Sequence, residues 1–103
     1  MFALVVRFDL VDPVTAERFD ALVRELLPSI RAEEPGTLSY ATHRVEGEPL
    51  ARVFYEAYRD RDAHAAHEAR PAVASFLAAV PAMTSGVRVE LLTPDEDLPS
   101  PRA

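Results

Sequence analysis

The apolar residues of this chain switch period from two to 3.6 and back, twice, and few folds accept that order. In FALVVRFDL (2–10), Phe2, Leu4, Val6, Phe8 and Leu10 take alternate positions, which is a strand with one face buried. Asp12 then offers an N-cap and Pro13 a first helical position. Phe19, Leu22, Val23, Leu26, Leu27 and Ile30 follow as one helical stripe that Pro28 should kink and Pro35-Gly36 ends. Two alternating runs, 37–45 and 51–59, flank the turn EGEP (46–49). A short helix capped by Asp60 or Asp62 carries His64 and His67. A second starts at Pro71, with Val73, Phe76, Leu77 and Val80 as its stripe, and stops at Pro81. The strand at 85–92 turns Val87, Val89 and Leu91 inward.

The order β-α-β-β-α-β, with right-handed crossovers, predicts an α+β chain of the ferredoxin-like class: a four-stranded antiparallel sheet with its helices on one face. One domain over 1–93 is expected, followed by a disordered tail rich in proline and acids over 94–103. The chain has 103 residues, a size at which only about 60–65% of the unfolded surface is buried. Ala3 and Val5, opposite Leu4 and Val6, make the second sheet face apolar too. A second copy of the chain is the expected cover.

Composition removes whole classes of chemistry. A net charge of −6 argues against a nucleic-acid or anionic-membrane surface. With no cysteine there is neither disulfide nor thiolate, which fits a reducing compartment, and a cytoplasmic location is expected. The chain has no lysine, so Schiff-base chemistry and a P-loop are excluded. The apolar start is broken by Arg7 and Asp9 before it reaches the length of a signal or membrane segment.

The residues with chemistry gather between 40 and 76. The alternation of 51–59 puts Phe54, Glu56 and Tyr58 on one face, where a buried carboxylate needs a partner; Arg52, Arg7 or Arg88 is the expected one. His64-x-x-His67 has a spacing a metal can use, with Glu56 and His43 as further ligands, but nothing in it demands a metal. Tyr40 and His43 fall on opposite faces of their strand.

The run EPGTLSYATH, followed by FYEAYRDRDAHAAHEARPAVASF, resembles the antibiotic biosynthesis monooxygenase family. The matching features are Glu34-Pro35-Gly36, Tyr40, the aromatic-Glu-x-aromatic run Tyr55-Glu56-Ala57-Tyr58, and Ala63 with His67 as A-x-x-x-H; the resemblance extends from Phe2 to about Leu92. It implies a dimeric α+β barrel and oxygenation of phenols or quinols without metal, flavin or haem. Three positions depart from the pattern: Tyr58 stands where many members have Trp, Ala41 where many have Glu, and Arg70-Pro71-Ala72 where a second histidine often follows. The haem-degrading branch uses an Asn and a Trp; this chain has neither, which excludes that reaction.

The resemblance makes His67 the candidate base, since an imidazole exchanges protons near neutral pH and a phenol must become its anion before it yields an electron to dioxygen. Tyr58 is the candidate that orients substrate through its hydroxyl. Tyr40, Tyr55, His43 and Phe76 are candidates for lining the substrate pocket. No cofactor and no metal are expected. The function expected is that of a cofactor-independent monooxygenase, a homodimer acting on a small aromatic substrate and dioxygen. The alternative is a non-catalytic dimer that binds a small molecule in the same pocket. A third use, isomerase- or decarboxylase-like, needs only the base.

Overall fold

In the computed structural model, which describes residues 1–95, the elements follow in the expected order. They are β1 (Phe2–Leu10), α1 (Pro13–Glu33), β2 (Thr37–Val45), β3 (Glu48–Tyr58), α2 (Arg61–Ala69), α3 (Pro71–Met83) and β4 (Thr84–Leu92). The strands form one antiparallel sheet in the order β2-β3-β1-β4. This is the ferredoxin-like βαββαβ architecture. From residue 96 onward the expected tail lies outside the described residues.

Local chemistry sets the element ends. The Asp12 carboxylate accepts the backbone N–H of Thr15 at 2.7 Å, with Pro13 behind it, and so starts α1. Asp60 does the same for α2 through the N–H of Ala63 at 2.8 Å. The hairpin turn is tighter than EGEP suggests: Glu46-Gly47 alone make it, with Gly47 at φ 77°. Pro81 does not stop α3, which runs on to Met83, and α1 likewise continues through Pro28. Both prolines are exposed, so the carbonyls they leave unbonded, those of Arg24 and Leu77, are on the wet side of their helices.

The core lies between the sheet and the helices. Phe19 of α1 is fully buried and packs on Phe8 of β1 (ring centroids 5.1 Å apart), Phe54 of β3 (5.9 Å) and Phe76 of α3 (5.5 Å). Two expectations need correcting. Leu77 is 39% exposed rather than docked beside Phe76. Val87, Val89 and Leu91 share the helix-side face with Phe8, Val6 and Leu4, to which they are paired. They remain 46–59% exposed, however, because an open cavity rather than a helix lies over β4. The opposite sheet face mixes Val5, Val53 and Tyr55 with ion pairs: Arg7 to Asp9 and Glu48, and Arg88 to Glu90. No helix among the described residues is long and apolar enough to cross a membrane.

Phe19→Ala should cost about 3–5 kcal/mol, because it removes the ring shared by three others. Urea unfolding of the two proteins measures this; an unchanged midpoint would place Phe19 outside the core.

Candidate active site

Two short motifs, distant in sequence, lock the site together. Glu34 follows the last turn of α1, and its backbone N–H bonds the carbonyl of Ile30 at 3.2 Å. Pro35 ends the helix. Gly36 then lies so close to α2 that a Cβ added to it would sit 2.7 Å from the Cβ of Ala63. Ala63 lies in the first turn of α2, and His67, one turn later on the same face, comes down onto Glu34. The His67 Nδ1 lies 2.7 Å from the Glu34 Oε1.

Glu34 is held on every side. The Thr37 hydroxyl donates to its Oε1 at 2.7 Å and the Arg70 guanidinium to its Oε2 at 2.5 Å. Arg70 also pairs with Glu33. Burial would raise the Glu34 pKa, but the hydrogen bonds from Thr37, Arg70 and His67 outweigh it and hold the carboxyl below its ordinary range. An ionised carboxylate at Nδ1 requires the proton there. In the neutral ring this leaves the Nε2 lone pair as acceptor.

A second carboxyl meets the other side of the ring. Glu56 Oε1 lies 4.0 Å from His67 Nε2, too far for a hydrogen bond. Instead Glu56 Oε1 accepts the Tyr58 hydroxyl at 2.5 Å. Burial raises the Glu56 pKa and prevails over the lowering effect of the Tyr58 hydrogen bond and of His67. The expected arginine partners are elsewhere. Arg52 binds Asp20 and the carbonyls of Pro49 and Ala51, while Arg7 and Arg88 face the opposite side of the sheet.

Above this cluster is a cavity of about 220 Å³ between α2, α3 and the sheet. Leu4, Val6, Phe8, Val73, Phe76 and Val80 form apolar walls; Tyr40, Glu56, His64, His67 and Glu68 supply the polar atoms. No arginine lines it. Among the described residues no buried side-chain nitrogen or oxygen lacks a partner, so the unbonded Nε2 of His67 opens on the cavity. His64 packs on Phe2 and Tyr58 (ring centroids 5.2 and 4.9 Å), and burial lowers its pKa.

The residues singled out from sequence separate into two groups. His67, Tyr40 and Phe76 line the cavity. Tyr58 lies directly behind it, fully buried, with its hydroxyl committed to Glu56, so it acts through that carboxyl rather than on a substrate. Tyr55 and His43 occupy the opposite sheet face, opposite Ala41 and Val53 respectively; a one-residue offset on a strand reverses the face. His43 therefore cannot join His64 and His67 around a metal, and among the described residues no three His, Asp or Glu side chains are grouped to hold one. Sequence reasoning missed Glu34 and Arg70 as site residues. The available signal was an acid at the C-terminal end of a helix, where the dipole disfavours it unless a cation compensates.

The model of the antibiotic biosynthesis monooxygenase family matches residues 1–79. No curated protein matches the chain. A putative antibiotic biosynthesis monooxygenase from Caulobacter crescentus is similar in structure, with TM-score 0.83 and 25% identity over 92% of this chain and 90% of that one. A protein of Mycobacterium tuberculosis superposes with TM-score 0.82 and 26% identity, over 92% and 95% of the two chains. A putative antibiotic biosynthesis monooxygenase from Nitrosomonas europaea, at 23% identity, shares the fold with TM-score 0.79 over 91% and 98%.

Glu34 has a lowered folded pKa, so its contribution to stability is present above the unfolded carboxyl pKa, about 4.3, and is lost as pH falls through the folded value. Glu34→Gln should therefore destabilise by about 1–3 kcal/mol at pH 7 and by much less at acid pH. Denaturant unfolding at several pH values tests this, and a deficit independent of pH would contradict it.

Proposed function

The chain belongs to the antibiotic biosynthesis monooxygenase family, and from that premise we propose that it oxidises a small aromatic phenol or quinol with dioxygen, using no metal, flavin or haem. The observation that carries this reading is an imidazole tied at Nδ1 to Glu34, with a free Nε2 opening on an apolar cavity. The cavity volume of about 220 Å³ is below the ~300–1,000 Å³ of drug-sized sites, which suits a substrate of one or two rings. Phe76, Val73 and Val80 would hold the ring, with Tyr40 at its edge.

His67 would take the phenolic proton at Nε2. The resulting anion gives an electron to dioxygen, and the two radicals join at a ring carbon. One oxygen atom stays on the ring as a carbonyl. The other leaves as water with the hydrogens of the ring C–H and the phenol, so a phenol and dioxygen become a quinone and water. Glu34 serves by orienting the ring and stabilising the imidazolium that forms.

The working unit is proposed to be a homodimer. Support comes from β4, an edge strand with Val87, Val89 and Leu91 exposed beside Leu77, and from the half-buried Val5, Val53 and Tyr55 on the sheet face that no helix covers. Both are surfaces a small chain gains by covering. Sedimentation at micromolar concentration should give twice the chain mass; the monomer mass would refute the dimer.

His67→Ala should keep the fold and lose about 10²–10⁴-fold in oxygen uptake with a panel of hydroquinones. His43→Ala, which removes an imidazole from the far face, should keep the wild-type rate. Equal uptake by His67→Ala and wild type would take His67 out of the reaction. No uptake by any of the three would favour the binding dimer.

A further inference from the structure

The pairing of His67 with Glu56 is more than a phenol-oxidising site needs. One base suffices to make a phenolate. Here a carboxyl faces the same cavity from β3, 4.0 Å from the base nitrogen across an open gap. We infer that the site also catalyses oxygen-independent enolisation of a neutral aryl ketone, with His67 as the base at carbon and Glu56 as the acid at oxygen. This rests on the cavity and on the free Nε2, not on the oxygenation reading.

The geometry fits that step. The α-carbon and carbonyl oxygen of a ketone are about 2.4 Å apart, from ordinary C–C and C=O lengths. The Glu56 carboxyl has its Oε1 4.0 Å from His67 Nε2 and its Oε2 open to the same cavity, so base and acid can approach those two atoms together from one side. His67 Nε2 takes the α-hydrogen as a proton. The C–H pair becomes the new C=C bond, the carbonyl π pair moves to oxygen, and that oxygen takes the proton of Glu56 Oε2. The enol forms with Glu56 as carboxylate and His67 as imidazolium. Return of the proton to the same carbon gives exchange with solvent hydrogen; return to a conjugated carbon moves a double bond. No oxidant or reductant enters.

Three features equip Glu56 for the acid role. Oε1 accepts from Tyr58 at 2.5 Å, which leaves Oε2 for a ligand, and a donor on Oε1 strengthens the acidity of a proton on Oε2. The walls are apolar, and burial raises the Glu56 pKa while hydrogen bonds lower that of Glu34. The pKa values of two carboxyls on either side of one imidazole are thus pushed in opposite directions, the pattern that divides acid from base in proton-transfer sites. The lining holds no arginine to neutralise an anion, and Glu56 and Glu68 both face it, so the ketone is neutral rather than carboxylated.

The test is anaerobic. Wild-type protein in deuterated buffer is mixed with 1-tetralone, a neutral bicyclic aryl ketone, and deuterium at the carbon α to the carbonyl is followed by proton NMR. Wild type should accelerate exchange above buffer alone. His67→Ala and Glu56→Gln should each lower that acceleration at least 10²-fold, while Tyr58→Phe should lower it less and keep the His67 contribution. Carboxylated analogues of the ketone should be poor substrates for wild type. Exchange no faster than buffer overturns the proposal, as does exchange that survives Glu56→Gln unchanged. Oxygen uptake with hydroquinones, measured separately, reports the oxygenation reading alone, so either can fail without the other.

Discussion

The hydrogen bond between His67 and Glu34 is the contact on which the site depends. It joins the end of α1 to the middle of α2, two elements that the topology alone would let slide. The contact needs a helix that stops at Pro35, a glycine at 36 that tolerates a neighbour 2.7 Å from where its Cβ would be, and an alanine at 63 to supply that neighbour. A larger residue at either position would lift α2 and carry His67 away from its carboxylate. The E-P-G and A-x-x-x-H runs are therefore two halves of one joint. Arg70 and Thr37 complete it by fixing Glu34 itself.

From that joint follows the division of labour between two glutamates. Glu34 is buried but surrounded by donors, so it stays ionised and orients the ring. Glu56 is buried with one hydroxyl for company in an apolar wall, so its pKa is raised. The imidazole between them is directed at Nδ1 and open at Nε2. An apolar cavity over such a group favours chemistry in which a neutral molecule loses a proton, whether the electrons then go to dioxygen or remain in the carbon framework.

Much of the architecture was legible because it is written in periodicity. The alternation of Phe2 to Leu10 and the stripe from Phe19 to Ile30 dictate which faces are buried, and the order of periods dictates the sheet. Pro81 misled because a proline's damage depends on which side of the helix its lost partner lies, and Pro81 is on the wet side. Val87, Val89 and Leu91 point as their alternation says, but a pattern cannot tell a filled core from a cavity wall. The site was partly legible for the same reason. His67, Tyr40 and Phe76 follow from face and motif. Glu34 and Arg70 owe their roles to a contact across 33 residues of chain and more, and no local period encodes it. Tyr55 and His43 have suitable chemistry on the wrong face.

The central claim is that Glu34 sets the tautomer of His67 and leaves Nε2 bare toward the cavity. Nitrogen-15 NMR of the labelled imidazoles reads this directly. In the neutral ring of wild-type protein, His67 should carry its proton on Nδ1 and show an unprotonated Nε2, and Glu34→Ala should abolish that preference. A neutral His67 protonated at Nε2, or a tautomer indifferent to Glu34, would contradict the account.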